Sequence, residues 1–132
     1  MNGNPLEAWH RMLGNRDISG LEVLLANDVT FASPVAHTPK HGKAITTAYL
    51  CAAFHVFLNP SFRYVREIVG SHDAMLEFET EIAGVMVNGV DLLSWNAAGE
   101  ITEVKVMVRP LKAVTLIHER MAALLASSQR DG

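Results

Sequence analysis

The stretch Val87-Asn88-Gly89-Val90-Asp91-Leu92-Leu93-Ser94-Trp95-Asn96-Ala97-Ala98-Gly99-Glu100-Ile101-Thr102-Glu103-Val104-Lys105-Val106-Met107-Val108 reads as two β-strands around a four-residue loop. Val87 to Trp95 and Ile101 to Val108 are rich in β-branched and large apolar residues, and Asn96-Ala97-Ala98-Gly99 supplies the turn residues of a hairpin. Alternation places Asp91 on one face with Val87, Leu93 and Trp95. If that face is dry, the Asp91 carboxyl must be paired, stay neutral or serve a function. If the other face is the dry one, Asp91 is simply solvated.

Working outward, Ala74 to Ile82 alternates Ala74, Leu76, Phe78, Thr80 and Ile82 with Met75, Glu77, Glu79 and Glu81, which predicts a strand with one dry and one wet face. Glu77, Glu79 and Glu81 read as that wet face, with Lys105 and Arg109 as cross-strand partners. Ala83-Gly84 is the expected turn into the hairpin, and Phe62 to Val69 forms a further strand ending at Gly70-Ser71. Upstream, Pro5 opens a helix over 5–15 with Leu6, Trp9 and Leu13 on one side. Asp17 is the expected N-cap of a short second helix bearing Ile18, Leu21 and Leu25, closed by Asn27-Asp28. Val29-Thr30-Phe31 reads as a short strand, Ser33 to Gly42 as a loop, and Lys43 to Leu58 as a largely buried helix closed by Asn59-Pro60. Pro110 starts a last helix with Leu111, Val114, Ile117, Met121, Leu124 and Leu125 as its stripe. Helices on one face of a curved antiparallel sheet make the fold class α+β, a shape able to enclose an apolar pocket.

Composition narrows the function classes. The 132 residues suit one domain spanning 1–132, at about 150 residues per domain. With 49% apolar and 19% charged residues the chain is a folding sequence, not a disordered one. A net charge of −3 argues against nucleic acid and anionic membranes as partners. The lone Cys51 forms no intrachain disulfide, and the first twenty residues lack the apolar run of a signal peptide, so a cytoplasmic protein is expected. Only the ends, Met1 to Asn4 and Ser127 to Gly132, read as loose. No Gly-rich phosphate loop, nucleophile elbow or Cys-x-x-Cys is present, and no cofactor is implied. His37 and His41 flank Pro39, which forbids the helix that would aim both at one metal, so no metal site is expected.

The run Asp91-Leu92-Leu93-Ser94-Trp95-(loop)-Gly99-Glu100-Ile101 resembles the ketosteroid isomerase pattern Asp-x-x-x-aromatic-(loop)-Gly-x-Ile. Asp17-Ile18, Ala26, Asp28-Val29-Thr30, Ser33-Pro34, Pro39 and His41-Gly42-Lys43 fall in register with the same family, so that the similarity covers Trp9 to Val108. That family lies in the nuclear-transport-factor-2-like superfamily, beside the SnoaL-like polyketide cyclases. The resemblance implies a cone-shaped, cystatin-like α+β fold whose curved sheet and helices wrap one hydrophobic pocket, and a homodimer formed through the outer sheet face around Met107. It matches Asp91 to the neutral aspartic acid that donates a hydrogen bond to the enolate. It places Ser33 at the position of the carboxylate base and Trp9 at that of the tyrosine donor. Serine is no base at neutral pH without help, so the isomerase route loses its proton acceptor.

In this register Phe78, Thr80, Leu93 and Val106 point inward with Asp91, while Trp9, Leu13, Tyr49 and Phe54 close the helical side. Thr80 and Tyr49 are the expected partners of Asp91. His55, if it turns inward, could replace the missing base, because imidazole titrates near neutrality. The expected function is an isomerase, cyclase or dehydratase acting on a small apolar substrate through Asp91. The alternatives are a non-catalytic binder of such a ligand and a dimeric partner-binding domain.

Overall fold

The computed structural model describes residues 4–131, with side chains through Ala126. Ten elements follow in order: α1 (Leu6–Asn15), α2 (Leu21–Leu24), β1 (Leu25–Ala32), β2 (Lys40–His41), α3 (Lys43–Phe57), β3 (Arg63–Val69), β4 (Asp73–Ile82), β5 (Val85–Trp95), β6 (Ile101–Arg109) and α4 (Leu111–Asp131). The strands form one six-stranded sheet in the order β2-β1-β6-β5-β4-β3. The helices lie over one face, which makes the class α+β as the patterning requires.

The sheet is mixed rather than wholly antiparallel. β3 to β6 form an antiparallel meander, but β1 joins β6 in parallel, pairing Phe31 with Val104. β1 also begins four residues earlier than the Val29–Phe31 reading, so Asn27 and Asp28 lie within the strand instead of closing α2. Asp17 caps no helix. Its Oδ1 accepts the Ser19 amide at 3.1 Å, which holds its carboxyl below the usual range, and Gly20 precedes α2.

The tight turn between β4 and β5 is Ala83-Gly84, with φ of 50° and 80°. Positive φ at both central residues matches the twist of the flanking strands. Asn96 shapes the next hairpin: its Oδ1 accepts the Ala98 and Glu100 amides, each at 3.0 Å. At the C-terminus α4 continues to Asp131, so Ser127 to Asp131, read as loose, are helical in backbone. Met1 to Gly3 and Gly132 lie outside the described residues.

Burial along β5 alternates through Val87, Gly89, Asp91, Leu93 and Trp95, which settles the face of Asp91: it is the dry one. On the opposite face Glu79 pairs with Arg63 at 2.7 Å and Glu77 with Arg66 at 3.1 Å, so these carboxylates take strand partners from β3. No described helix is long and apolar enough to cross a membrane.

Candidate active site

Asp91 is 8% exposed and lines a small cavity of about 30 Å³ between the sheet and α1 and α3. Its register neighbours are Leu76 on β4 and Val106 on β6. The remaining wall includes Trp9, Leu13, Phe54, Phe57, Phe62 and Phe78. The aromatic rings interlock: Phe57 meets Phe78 edge-on at 5.4 Å, and Phe62 stacks on Phe78 at 5.2 Å. Gly89 permits this arrangement, because a Cβ there would lie 2.5 Å from Phe78 Cζ and 2.8 Å from the Met107 carbonyl oxygen.

One polar chain enters this apolar shell. Tyr64 Oη donates to Asp91 Oδ2 at 2.6 Å, and Trp9 Nε1 donates to Tyr64 Oη at 3.0 Å. No other described donor reaches the Asp91 carboxyl. Burial pushes that carboxyl up to about 7, against a smaller opposing effect of the Tyr64 hydrogen bond. Burial, with the adjacent Asp91 charge, raises the Tyr64 phenol well above its usual range, so the phenol stays protonated and donates.

A second cavity of about 210 Å³ adjoins the first and shares Ala53, Phe57 and Val106 with it. Ser33 and Tyr49 line this second space, beneath Ile117 and Met121 of α4. The single pocket expected from the sequence is thus two adjoining spaces.

Sequence comparison with family models and with curated proteins finds no match. Solved structures do match. A steroid delta-isomerase from Pseudomonas aeruginosa superposes with a TM-score of 0.90 at 32% identity, over 95% of this chain and 91% of that one. An uncharacterised protein with a cystatin-like fold from Silicibacter pomeroyi gives 0.83 at 31% identity, over 92% and 86%. The chain belongs to the nuclear-transport-factor-2-like superfamily. At 18% identity, a nuclear-transport-factor-2-like protein of unknown function from Mesorhizobium loti shares the fold, with a TM-score of 0.68 over 80% of this chain and 88% of that one.

Within this nuclear-transport-factor-2-like chain the sequence-derived candidates separate. Trp9, Leu13, Phe54, Phe78 and Val106 stand around Asp91, while Leu93 is buried two residues along β5 without lining either cavity. Thr80 does not reach Asp91. Its hydroxyl instead donates to the Phe57 carbonyl at 3.3 Å and meets Ser61 Oγ at 3.1 Å, which fastens the end of α3 to β4. Tyr49 faces the other cavity, where it packs against Phe31. His55 is exposed and lines neither space, since the buried face of α3 runs through Leu50, Ala53, Phe54 and Phe57. Ser33 Oγ accepts the Val35 and Ala36 amides at 3.3 and 3.2 Å, a turn-forming role.

Tyr64 is the residue that sequence reasoning missed. Its signal was the two-residue spacing of Phe62, just before β3, and Tyr64 within it, the latter opposite Phe78 of β4. A bulge between Tyr64 and Arg66 breaks that spacing and hides it in the sequence.

Proposed function

We propose that this protein is an enzyme that moves a proton on a small apolar molecule bearing a carbonyl or hydroxyl group, with Asp91 as proton carrier or hydrogen-bond donor. The observation that carries this reading is the solitary carboxyl in an apolar cavity, held at Oδ2 by the Tyr64 hydroxyl. A carboxyl titrating near 7 exists in both forms at neutral pH. As carboxylate, Asp91 accepts a proton from the carbon beside a carbonyl. As neutral acid, it donates from Oδ1 to a developing enolate oxygen, while Oδ2 keeps the Tyr64 bond. The apolar surroundings strengthen either interaction. Similarity to a steroid delta-isomerase supports this class of chemistry.

The test is solvent deuterium exchange into the α-carbon of cyclic ketones and enones, together with binding of phenols as enolate mimics. Exchange by the wild-type protein that falls by about 10²-fold or more in Asp91→Asn is the expected result. Exchange indifferent to that substitution would sink the proposal. Saturable phenol binding with no exchange would favour a second reading, a non-catalytic binder. That reading is supported by Ser33, which stands at the family's base position with its hydroxyl engaged in a turn.

The assembly we propose is a homodimer through the outer sheet face. Ile68, Met86 and Met107 are 58%, 60% and 49% exposed there. Sedimentation should give a dimer that Met107→Glu dissociates; a monomeric wild-type protein at tens of micromolar would exclude it.

A further inference from the structure

The larger cavity has an asymmetric charge. Among the described residues its lining contains no carboxylate, and Lys40 is its one charged side chain. Lys40 pairs directly with Phe31 across the β1–β2 ladder. Directly paired residues project to the same face of a sheet, and Phe31 is buried under the helices. Lys40 therefore projects onto the concave face. Its ammonium stands 5.3 Å from the centre of the Tyr49 ring, within cation–π range. No described carboxylate forms an ion pair with it. A partly buried ammonium on an apolar wall, steered by an aromatic face and lacking a counter-ion, is a place for an anion.

The sheet register relates this cation to Asp91. One cross-sheet row runs Lys40, Phe31, Val104, Leu93, and Asp91 lies two residues along β5 on the same face. Three strand spacings and one two-residue step separate the two Cα positions by about 16 Å on an ideal sheet. An apolar cavity of about 150 Å³ accommodates benzene, so a fused-ring body fits the 210 Å³ space, and the 30 Å³ space that Asp91 lines has room for its terminal oxygen alone.

We infer that Lys40 is an anion anchor, and that the ligand is an apolar ring compound carrying a carboxylate at the end opposite the oxygen that meets Asp91. The placement of that oxygen rests on the proposed role of Asp91; the anchor itself does not.

A matched ligand pair reads the two ends separately: 2-naphthol, and 6-hydroxy-2-naphthoate, which adds a carboxylate to the same rings. Calorimetric titration should show the naphthoate binding the wild-type protein about tenfold more tightly than the naphthol, the size of one partly solvated charge-assisted contact. Lys40→Met should erase that ratio, while Lys40→Arg retains it. A melting curve for each variant separates lost binding from lost folding. Equal affinity of the two ligands for the wild-type protein, or a ratio that survives Lys40→Met, would overturn the anchor. The same ratio measured in Asp91→Asn distinguishes the two ideas. If it persists while naphthol affinity ignores the substitution, the anchor stands and the proton-transfer reading falls.

Discussion

The Tyr64 hydroxyl reaches Asp91 Oδ2 at 2.6 Å although the two residues belong to β3 and β5, with β4 between them. The bond spans the concave face over Leu76 and Phe78, and it is the one polar link that the described residues make to the buried carboxyl. It stabilises the ionised form, whereas burial in the aromatic shell opposes that form more strongly.

Removing the hydroxyl should therefore move the carboxyl in a known direction. In Tyr64→Phe the Asp91 pKa is expected to rise above that of the wild-type protein, read by carbon-13 NMR of the Asp91 carboxyl. Trp9 Nε1 loses its acceptor as well, so stability should drop by about 1–3 kcal/mol. A downward shift of the Asp91 titration would contradict the arrangement.

Asp91 also gives stability a pH dependence of predictable sign. Its carboxyl rises from the ordinary 3.8 to about 7 on folding, so the folded protein binds the proton more tightly than the unfolded chain. This contribution is complete below about 4 and is lost as pH rises through about 7, with a slope of at most about 1.4 kcal/mol per pH unit. Asp91→Asn removes the titration. Its melting temperature relative to wild type should therefore increase between pH 5 and about pH 7 and level off above that. A difference that stays flat over this range would show that Asp91 does not take up its proton in this window.

Gly89 sits where a methyl group would overlap the Phe78 ring and the Met107 carbonyl. Gly89→Ala should destabilise the protein by about 1–3 kcal/mol through overpacking. Because Phe78 borders the Asp91 cavity, phenol binding should weaken along with it. Urea unfolding and a phenol titration on the same variant check both; an unchanged unfolding midpoint would mean that the ring has room to move.

His55 offers the opposite expectation. It is exposed on α3 and lines neither cavity, so His55→Ala should change stability by no more than about 0.5 kcal/mol and leave phenol binding intact. A lost binding signal would require α3 to rotate in solution.

Much of the fold was legible locally. Period-two alternation in Ala74 to Ile82 and Val87 to Trp95, Asn96 to Gly99 as a loop, and the apolar Lys43 to Leu58 segment carry their own physics, since each depends on neighbours within a few residues. The same alternation placed Asp91 with Leu93 and Trp95, and the register of the ketosteroid isomerase resemblance put Trp9, Leu13, Phe54, Phe78 and Val106 around it. Tertiary structure decided the rest. Whether the Asp91 face is dry depends on helices packed from far along the chain, and burial is what pushes its carboxyl to about 7. The parallel pairing of β1 with β6 joins segments some seventy residues apart, which no local pattern encodes. The partner of Asp91 was misassigned for the same reason. Thr80 lies on the adjacent strand with the right periodicity, yet its hydroxyl is taken by the end of α3, while a bulge in β3 turns Tyr64 inward to donate instead. Alternation tells which way a side chain points; only the packed sheet and helices determine what it meets there.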